Sequence, residues 1–201
     1  MDDQRRTVRD GYDALTERYD EERAADTENE ALQLLGESMA DDPRLLDLGC
    51  GAGRGPLEQF STAETVGLDF SEAQLRLARE RSDAALVAGD MTALPFSAER
   101  FEAVTAFYSV IHLPLDAHAS CYEEVARVLE PGGRFLFSIG DDWAGENPDW
   151  LGSGETMAWS FPPLSETEAL LEEAGLVVEE RLGVRSELDD TDWPFLLCRA
   201  V

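Results

Sequence analysis

Between residues 44 and 55 the chain reads Arg-Leu-Leu-Asp-Leu-Gly-Cys-Gly-Ala-Gly-Arg-Gly, and this stretch limits the fold more tightly than any other. Leu45 to Leu48 is a short apolar run of the kind that a strand buried on both faces of a parallel sheet requires. Gly49, Gly51, Gly53 and Gly55 follow at every second position. Backbone so poor in side chains turns sharply and lets a ligand lie against bare peptide groups. If a helix follows, the N–H groups of its first turn point back at that ligand. The expected unit is a strand, a nucleotide-binding turn and a helix.

Spacing separates the nucleotides. A dinucleotide fingerprint needs Gly-x-Gly-x-x-Gly, but the third glycine is replaced by Arg54 or by Pro56, depending on where counting starts. A phosphate-binding P-loop is excluded, because the chain contains no lysine. What remains is Asp47-x-Gly49-x-Gly51-x-Gly53, with a carboxylate at the strand end that would repel a phosphate and attract a cationic amine. This pattern resembles motif I of the class I S-adenosylmethionine (SAM)-dependent methyltransferases. The resemblance implies an α/β, Rossmann-like three-layer sandwich around a mostly parallel seven-stranded sheet, order 3-2-1-4-5-7-6, with the last strand antiparallel. It also implies SAM as cofactor, S-adenosylhomocysteine as product, and Gly49, Cys50, Gly51 and Gly53 in the cofactor site.

Later segments carry the resemblance further. Thr65 to Asp69 reads as a second strand, and Asp69 stands 20 residues after Gly49. At that spacing a nucleotide-binding α/β unit sets a carboxylate on the ribose hydroxyls, because adjacent parallel strands end at the same crevice. Ser71-Glu-Ala-Gln74 fits a capping box that opens a helix to about Arg81. Ala84 to Ala88 is the third strand, and Gly89-Asp90-Met91 after it resembles the family's adenine-holding segment, with Asp90 accepting from the adenine amino group. Phe70 and Phe107 are placed in the cofactor site by the same resemblance. Phe101 to Phe107 is the fourth strand. The crevice rule brings its end beside the first strand, where Tyr108 and His112 become candidates for substrate contact or general base. His118, on the helix expected over 116–129, reads as solvated.

Residues 5–40 read as helix, with Val8, Tyr12, Leu15 and Tyr19 at helical spacing and an apolar patch at Leu32, Leu34 and Leu35, ended by Asp42-Pro43. Residues 1–43 are expected to form an N-terminal helical cap and 44–201 the SAM-binding domain of one compact unit. The segment from Tyr12 to Tyr19 is similar to the cap of many small-molecule methyltransferases, which implies Tyr19, and less strongly Arg18, at the methionine end of SAM. After Glu130-Pro131-Gly132-Gly133, Arg134 to Ile139 is the fifth strand. Residues 140–163 lack regular periodicity and carry Trp143, Trp159 and Phe161, read as a lid over the acceptor pocket. Filling beneath a crossover is the alternative. Ser165-Glu-Thr-Glu168 fits a second capping box whose helix ends at Gly175, and two closing strands follow at 176–181 and 194–201.

Composition narrows the partners. Net charge is −27, with 43 acidic residues against 16 arginines. Such a surface repels phosphate backbones, so nucleic acid is not expected as substrate. The acidity suits either a partner surface or a halophilic coat in concentrated salt, and the absence of lysine favours the coat. Three scattered cysteines give neither a disulfide framework nor a metal site. No membrane-spanning run or signal segment is seen, so a cytoplasmic protein without membrane attachment is expected, with a homodimer left open. The implied reaction moves the SAM methyl to a small-molecule acceptor by in-line displacement, in the manner of the ubiquinone/menaquinone methyltransferase-like group. A non-catalytic SAM-binding or interaction module is the alternative, and an NAD(P)-dependent oxidoreductase a weaker one.

Overall fold

The computed structural model describes residues 3–22, 30–39, 43–60, 64–185 and 191–201. Its centre is a seven-stranded sheet. Five strands run parallel: β1 (Leu45–Leu48), β2 (Thr65–Asp69), β3 (Ala85–Ala88), β4 (Phe101–Ala106) and β5 (Leu129–Ser138). β8 (Leu176–Arg185) and β9 (Asp192–Ala200) complete it in the order β3-β2-β1-β4-β5-β9-β8, with β9 antiparallel to both neighbours. Strand for strand this is the layout expected from the sequence, and helices flank the sheet.

β1 and β2 are buried at every position, as strands covered on both faces must be. Phe135 and Phe137 stack at 4.4 Å, Tyr122 packs against Phe137, and Phe101 and Phe195 are fully buried near them. β1 lies between β2 and β4, so successive crossovers leave it in opposite directions. The loops after β1 and β4 therefore diverge and open a crevice, which positions everything described below.

Three segments differ from expectation. The N-terminal helix is two: α1 (Asp3–Glu22) and α2 (Glu30–Glu37), while the residues between them and the expected stop at Asp42 lie outside the described residues. The segment expected to lack regular structure pairs as a hairpin of β6 (Trp143–Asn147) and β7 (Met157–Phe161), with Trp143 opposite Phe161 and Gly145 opposite Trp159. β6 is short and mostly solvent-facing, so it carries no alternating pattern to read; β7 supplies the buried face and packs on α1. β5 begins at Leu129, earlier than expected, because the Pro-Gly-Gly run is absorbed as an irregularity in its pairing with β4.

The helices also correct two caps. α4 (Glu72–Arg81) has Ser71 as N-cap, its Oγ accepting from the Gln74 amide, yet the Gln74 side chain does not return to Ser71. Asp69 Oδ1 already takes the Ser71 N–H at 2.8 Å. α6 (Leu164–Glu173) starts after Pro163 with no side-chain cap, and Glu168 accepts from Arg181 instead. α5 (His118–Val128) begins with the histidine expected to be solvated. His118 is fully buried: Nε2–H donates to the Ser160 carbonyl at 3.0 Å, and Nδ1 accepts from the Tyr122 hydroxyl at 3.2 Å. It joins α5 to β7, and burial pulls its pKa down.

Candidate functional site

The glycine turn is shaped by its neighbours. Gly49 has φ +69°, and a Cβ there would come within 2.3 Å of the Ser109 Cβ. No other residue type fits, for conformation and for space. The amides of Gly49 and Cys50 donate to the Leu68 carbonyl at 2.7 and 3.1 Å, and Ser109 Oγ donates to the Leu48 carbonyl at 2.8 Å. The turn is thereby fixed to the ends of both neighbouring strands. Gly53 faces α4, where an added Cβ would meet Ala78 at 3.2 Å. The helix after the turn, α3 (Pro56–Gln59), is one turn long and starts on a proline without an N–H. Peptide donors toward a ligand therefore come from the turn itself.

Two carboxylates flank the turn. Asp69 Oδ2 accepts from the Gly51 amide at 2.9 Å and Oδ1 from the Ser71 amide; both oxygens keep further acceptor capacity. Burial raises its pKa to about 6 against the pull of these amides. Asp47 is deeper, with the Thr105 hydroxyl donating to Oδ1 at 2.8 Å. Burial, opposed by that hydrogen bond and reinforced by the Asp69 charge, lifts its pKa to about 8. Cys50 turns its sulfur toward Gly67 and packs with Leu57 and Leu75.

The cleft has two further walls. On one, burial pushes the Asp90 carboxyl up, but hydrogen bonds from Thr92 and the Arg5 guanidinium at 2.7 Å outweigh it and hold the pKa below the usual range. Met91, Phe70 and Phe107 line the same cleft. On the other, α1 lies over the turn. Tyr19 borders the cleft, whereas Arg18 is exposed and is not among its lining residues. Asp20 accepts from Arg54 at 2.8 Å and from Arg81, and these partners overcome its burial to lower its pKa.

Sequence reasoning missed Gln74. It is 1% exposed, lines the cleft beside Gly51, and neither its amide nitrogen nor its oxygen has a hydrogen-bond partner among the described residues. A buried unpaired amide costs about 1–3 kcal/mol, which a polar ligand in the cleft would recover. The spacing signal was present, but it was assigned to a cap. Arg5 and Tyr12 were missed in the same way, since their partners lie far along the chain.

Tyr12, Tyr19, Tyr108 and His112 border both the cleft and a second, larger cavity. His112 is 7% exposed. Its Nδ1–H donates to the Ala158 carbonyl at 2.8 Å, which fixes the tautomer and leaves Nε2 to accept from the Tyr12 hydroxyl at 2.9 Å. Burial lowers its pKa to about 4, so the ring is neutral at physiological pH. Tyr108 has φ +51° and its amide donates to Ser138 Oγ at 2.6 Å. Trp143, Trp159 and Phe161 line the larger cavity.

Comparison with known proteins bears on this arrangement. Residues 45–133 match a family described as methyltransferase domain. A rice (Oryza sativa subsp. japonica) cycloartenol-C-24-methyltransferase is 38% identical over 102 residues, 46% of this chain and 29% of that one. A demethylmenaquinone methyltransferase of Mycobacterium sp. (strain KMS) is 37% identical over 133 residues, 62% of this chain and 56% of that one. The chain thus spans little more than half, or less, of the length of these relatives. Among solved structures, the Burkholderia thailandensis 1,6-didemethyltoxoflavin-N1-methyltransferase with bound 1,6-didemethyltoxoflavin and S-adenosylhomocysteine has a TM-score of 0.72 at 17% identity, covering 97% of this chain and 88% of that one. Residues 45–133 thus match the methyltransferase-domain family, and the chain shares its fold with the solved methyltransferase structure it resembles.

Proposed function

We propose that the protein transfers the methyl group of SAM to a small-molecule acceptor. The observation that carries this reading is the bare turn at Gly49 and Gly51, set between Asp47 and Asp69 and facing the unpartnered amide of Gln74. A group with an ammonium, hydroxyls and a flat base matches that donor set, and a pyrophosphate does not. Asp47 holds the amino end of SAM, Asp69 the ribose hydroxyls, and Asp90 with Met91 the adenine. Phe70, Phe107 and Tyr19 form the apolar walls, with Gly49, Cys50, Gly51 and Gly53 supplying the turn. The fold-matched Burkholderia enzyme carries S-adenosylhomocysteine, which supports the same ligand class here.

SAM supplies an electrophilic methyl, which an acceptor lone pair takes as the carbon–sulfur bond breaks and sulfur keeps the bonding pair. The chain's own task is alignment and exclusion of water. Tyr108 and His112 lie where cleft and cavity meet. We read His112 as orienting the Tyr12 hydroxyl toward the acceptor, since a neutral ring with a pKa near 4 is a poor base at neutral pH. Trp143, Trp159 and Phe161 close over the acceptor. Residues 1–43 act as a helical cap and 44–201 as the SAM-binding domain. We place the protein in the cytoplasm, with a halophilic, acidic coat and no nucleic-acid partner, supported by its −27 charge and lack of lysine. No helix among the described residues is long and apolar enough to cross a membrane.

Titration calorimetry with SAM and with NAD tests the ligand, and methyl transfer from labelled SAM to a metabolite extract tests the reaction. SAM is expected to bind and NAD not to. Asp69→Ala should weaken SAM by about 1.5–3 kcal/mol, the worth of hydrogen bonds to a charged group. Unchanged affinity in that variant would remove the ribose assignment, and binding without any labelled product would leave a SAM-binding module.

A further inference from the structure

The cavity beside the cleft, about 690 Å³, is walled by aromatic rings whose mutual contacts run along it as a belt. Tyr108 meets Trp193 at 5.7 Å, Trp193 meets Phe161 at 6.3 Å, and Phe161 meets Trp143 at 6.2 Å. From Trp143 the belt passes to Trp159 at 6.3 Å, to Trp150 at 5.9 Å and to Tyr19 at 5.3 Å. Its two ends, Tyr19 and Tyr108, both border the cofactor cleft, on the side from which a methyl would arrive. Asp141 and Asp192 stand on the wall, His112 is neutral, and no arginine is among the described residues lining it.

Aromatic faces are electronegative and attract cations, more strongly where water is excluded. The angles between the rings decide what shape of ligand suits them. Successive pairs cross at 84°, 77°, 32°, 61°, 77° and 40°; four of the six cross steeply, so the belt turns faces and edges inward from several directions instead of forming a parallel slot. A flat neutral ring would want the slot. A compact cation wants the cage.

We propose that this cavity is a cage for an organic ammonium group and that the methyl acceptor is a small amine, methylated on nitrogen. The inference rests on the methyltransferase reading above. The amine reacts as its free base, its ammonium proton having been given up to bulk water before it enters; the C–N bond forms as the methyl–sulfur bond breaks, sulfur retains the pair, and the positive charge passes to nitrogen. No proton has to leave during the transfer. A wall that favours ammonium over neutral amine stabilises charge where it develops, which accelerates the step rather than merely holding the substrate.

The test is calorimetric titration of the protein, loaded with S-adenosylhomocysteine, with choline and with 3,3-dimethylbutan-1-ol. The first is a permanent cation resembling a methylated product, and the second is its uncharged carbon counterpart of the same shape. Choline is expected to bind at least about tenfold more tightly. Trp143→Leu, at a side chain about half exposed and therefore tolerant of replacement, should weaken choline by about fivefold and leave S-adenosylhomocysteine unaffected. Equal affinity for the two probes, absence of binding by both, or an unaltered choline affinity in Trp143→Leu would each overturn the cage. If S-adenosylhomocysteine itself fails to bind, the methyltransferase reading falls, and the same pair of probes on the unloaded protein still decides the cage.

Discussion

Asp47 keeps its proton at neutral pH because it is buried beside Asp69 with one hydroxyl donor for company. Its pKa rises from 3.8 to about 8, so across that interval the folded chain holds a proton that the unfolded chain has released. Stability from this group is complete below about pH 4 and is lost as pH climbs through 8; Asp69, at about 6, acts in the same direction. His112 works oppositely: lowered from 6.5 to about 4, its contribution is present above 6.5 and lost as pH falls through 4. Between pH 6.5 and 8 Asp47 therefore dominates this group. The melting temperature of the ligand-free protein should decline over that range, and Asp47→Asn should flatten the decline. A decline of the same slope in the variant would clear Asp47 of it. A ligand ammonium favours the ionised carboxylate, so SAM binding below pH 8 should release a proton, detectable by calorimetry in buffers of differing ionisation enthalpy.

α1 is the element that covers the cleft, and besides Gln4, which donates to the His112 carbonyl and to Ser160 Oγ, it is fastened at four points. Arg5 pairs with Asp90, Tyr12 donates to His112, Asp13 accepts from Ser71 and from the Ala73 amide, and Asp20 takes both Arg54 and Arg81. Each fastening joins the helix to the glycine turn, to α4 or to a loop at a strand end, so its docking and the shape of the cleft are one property. The Asp20 cluster holds the more buried carboxylate of the two ion-paired fastenings, 9% exposed against 40% for Asp90, with its two guanidiniums at 28% and 27%. Asp20→Asn should cost about 2 kcal/mol of local docking, the worth of charge-assisted hydrogen bonds in a partly solvated cluster. Amide exchange over residues 8–20 should then quicken about 30-fold while β1 and β4 keep their protection. Equal acceleration in the central strands would mean that the cluster supports the whole fold and not the lid. Much of this element was legible from Val8, Tyr12, Leu15 and Tyr19, but none of its fastenings were, because each partner lies between 34 and 156 residues away.

At the scale of the molecule, charge dominates. A net −27 on 201 residues, with 16 arginines largely engaged in ion pairs such as Arg44–Glu130 and Arg127–Glu124, leaves a surplus of like charge on the surface. Screening shortens from about 10 Å at 0.1 M salt to about 3 Å at 1 M, which removes repulsion between neighbouring carboxylates. The melting temperature should therefore rise by several degrees between 0.1 M and 2 M KCl, read by circular dichroism. A flat or falling curve would count against the salt-adapted coat and favour the acidic surface as a place where a partner docks.

What the sequence determined by itself was whatever depends on neighbours in the chain. The alternating glycines after a buried strand, the carboxylate 20 residues on, and the run of short apolar segments specify backbone conformation and strand order through local sterics and periodicity. Tertiary structure alone decided the rest. It buried His118 under β7, paired a solvent-facing stretch into a hairpin because the partner strand had a face to hide, and left the Gln74 amide facing the cleft without a partner among the described residues. It also gathered Tyr19, Trp150 and Trp193, spread over most of the chain, into one belt. Packing distances between remote residues have no local pattern, so no periodicity or spacing could have recorded them.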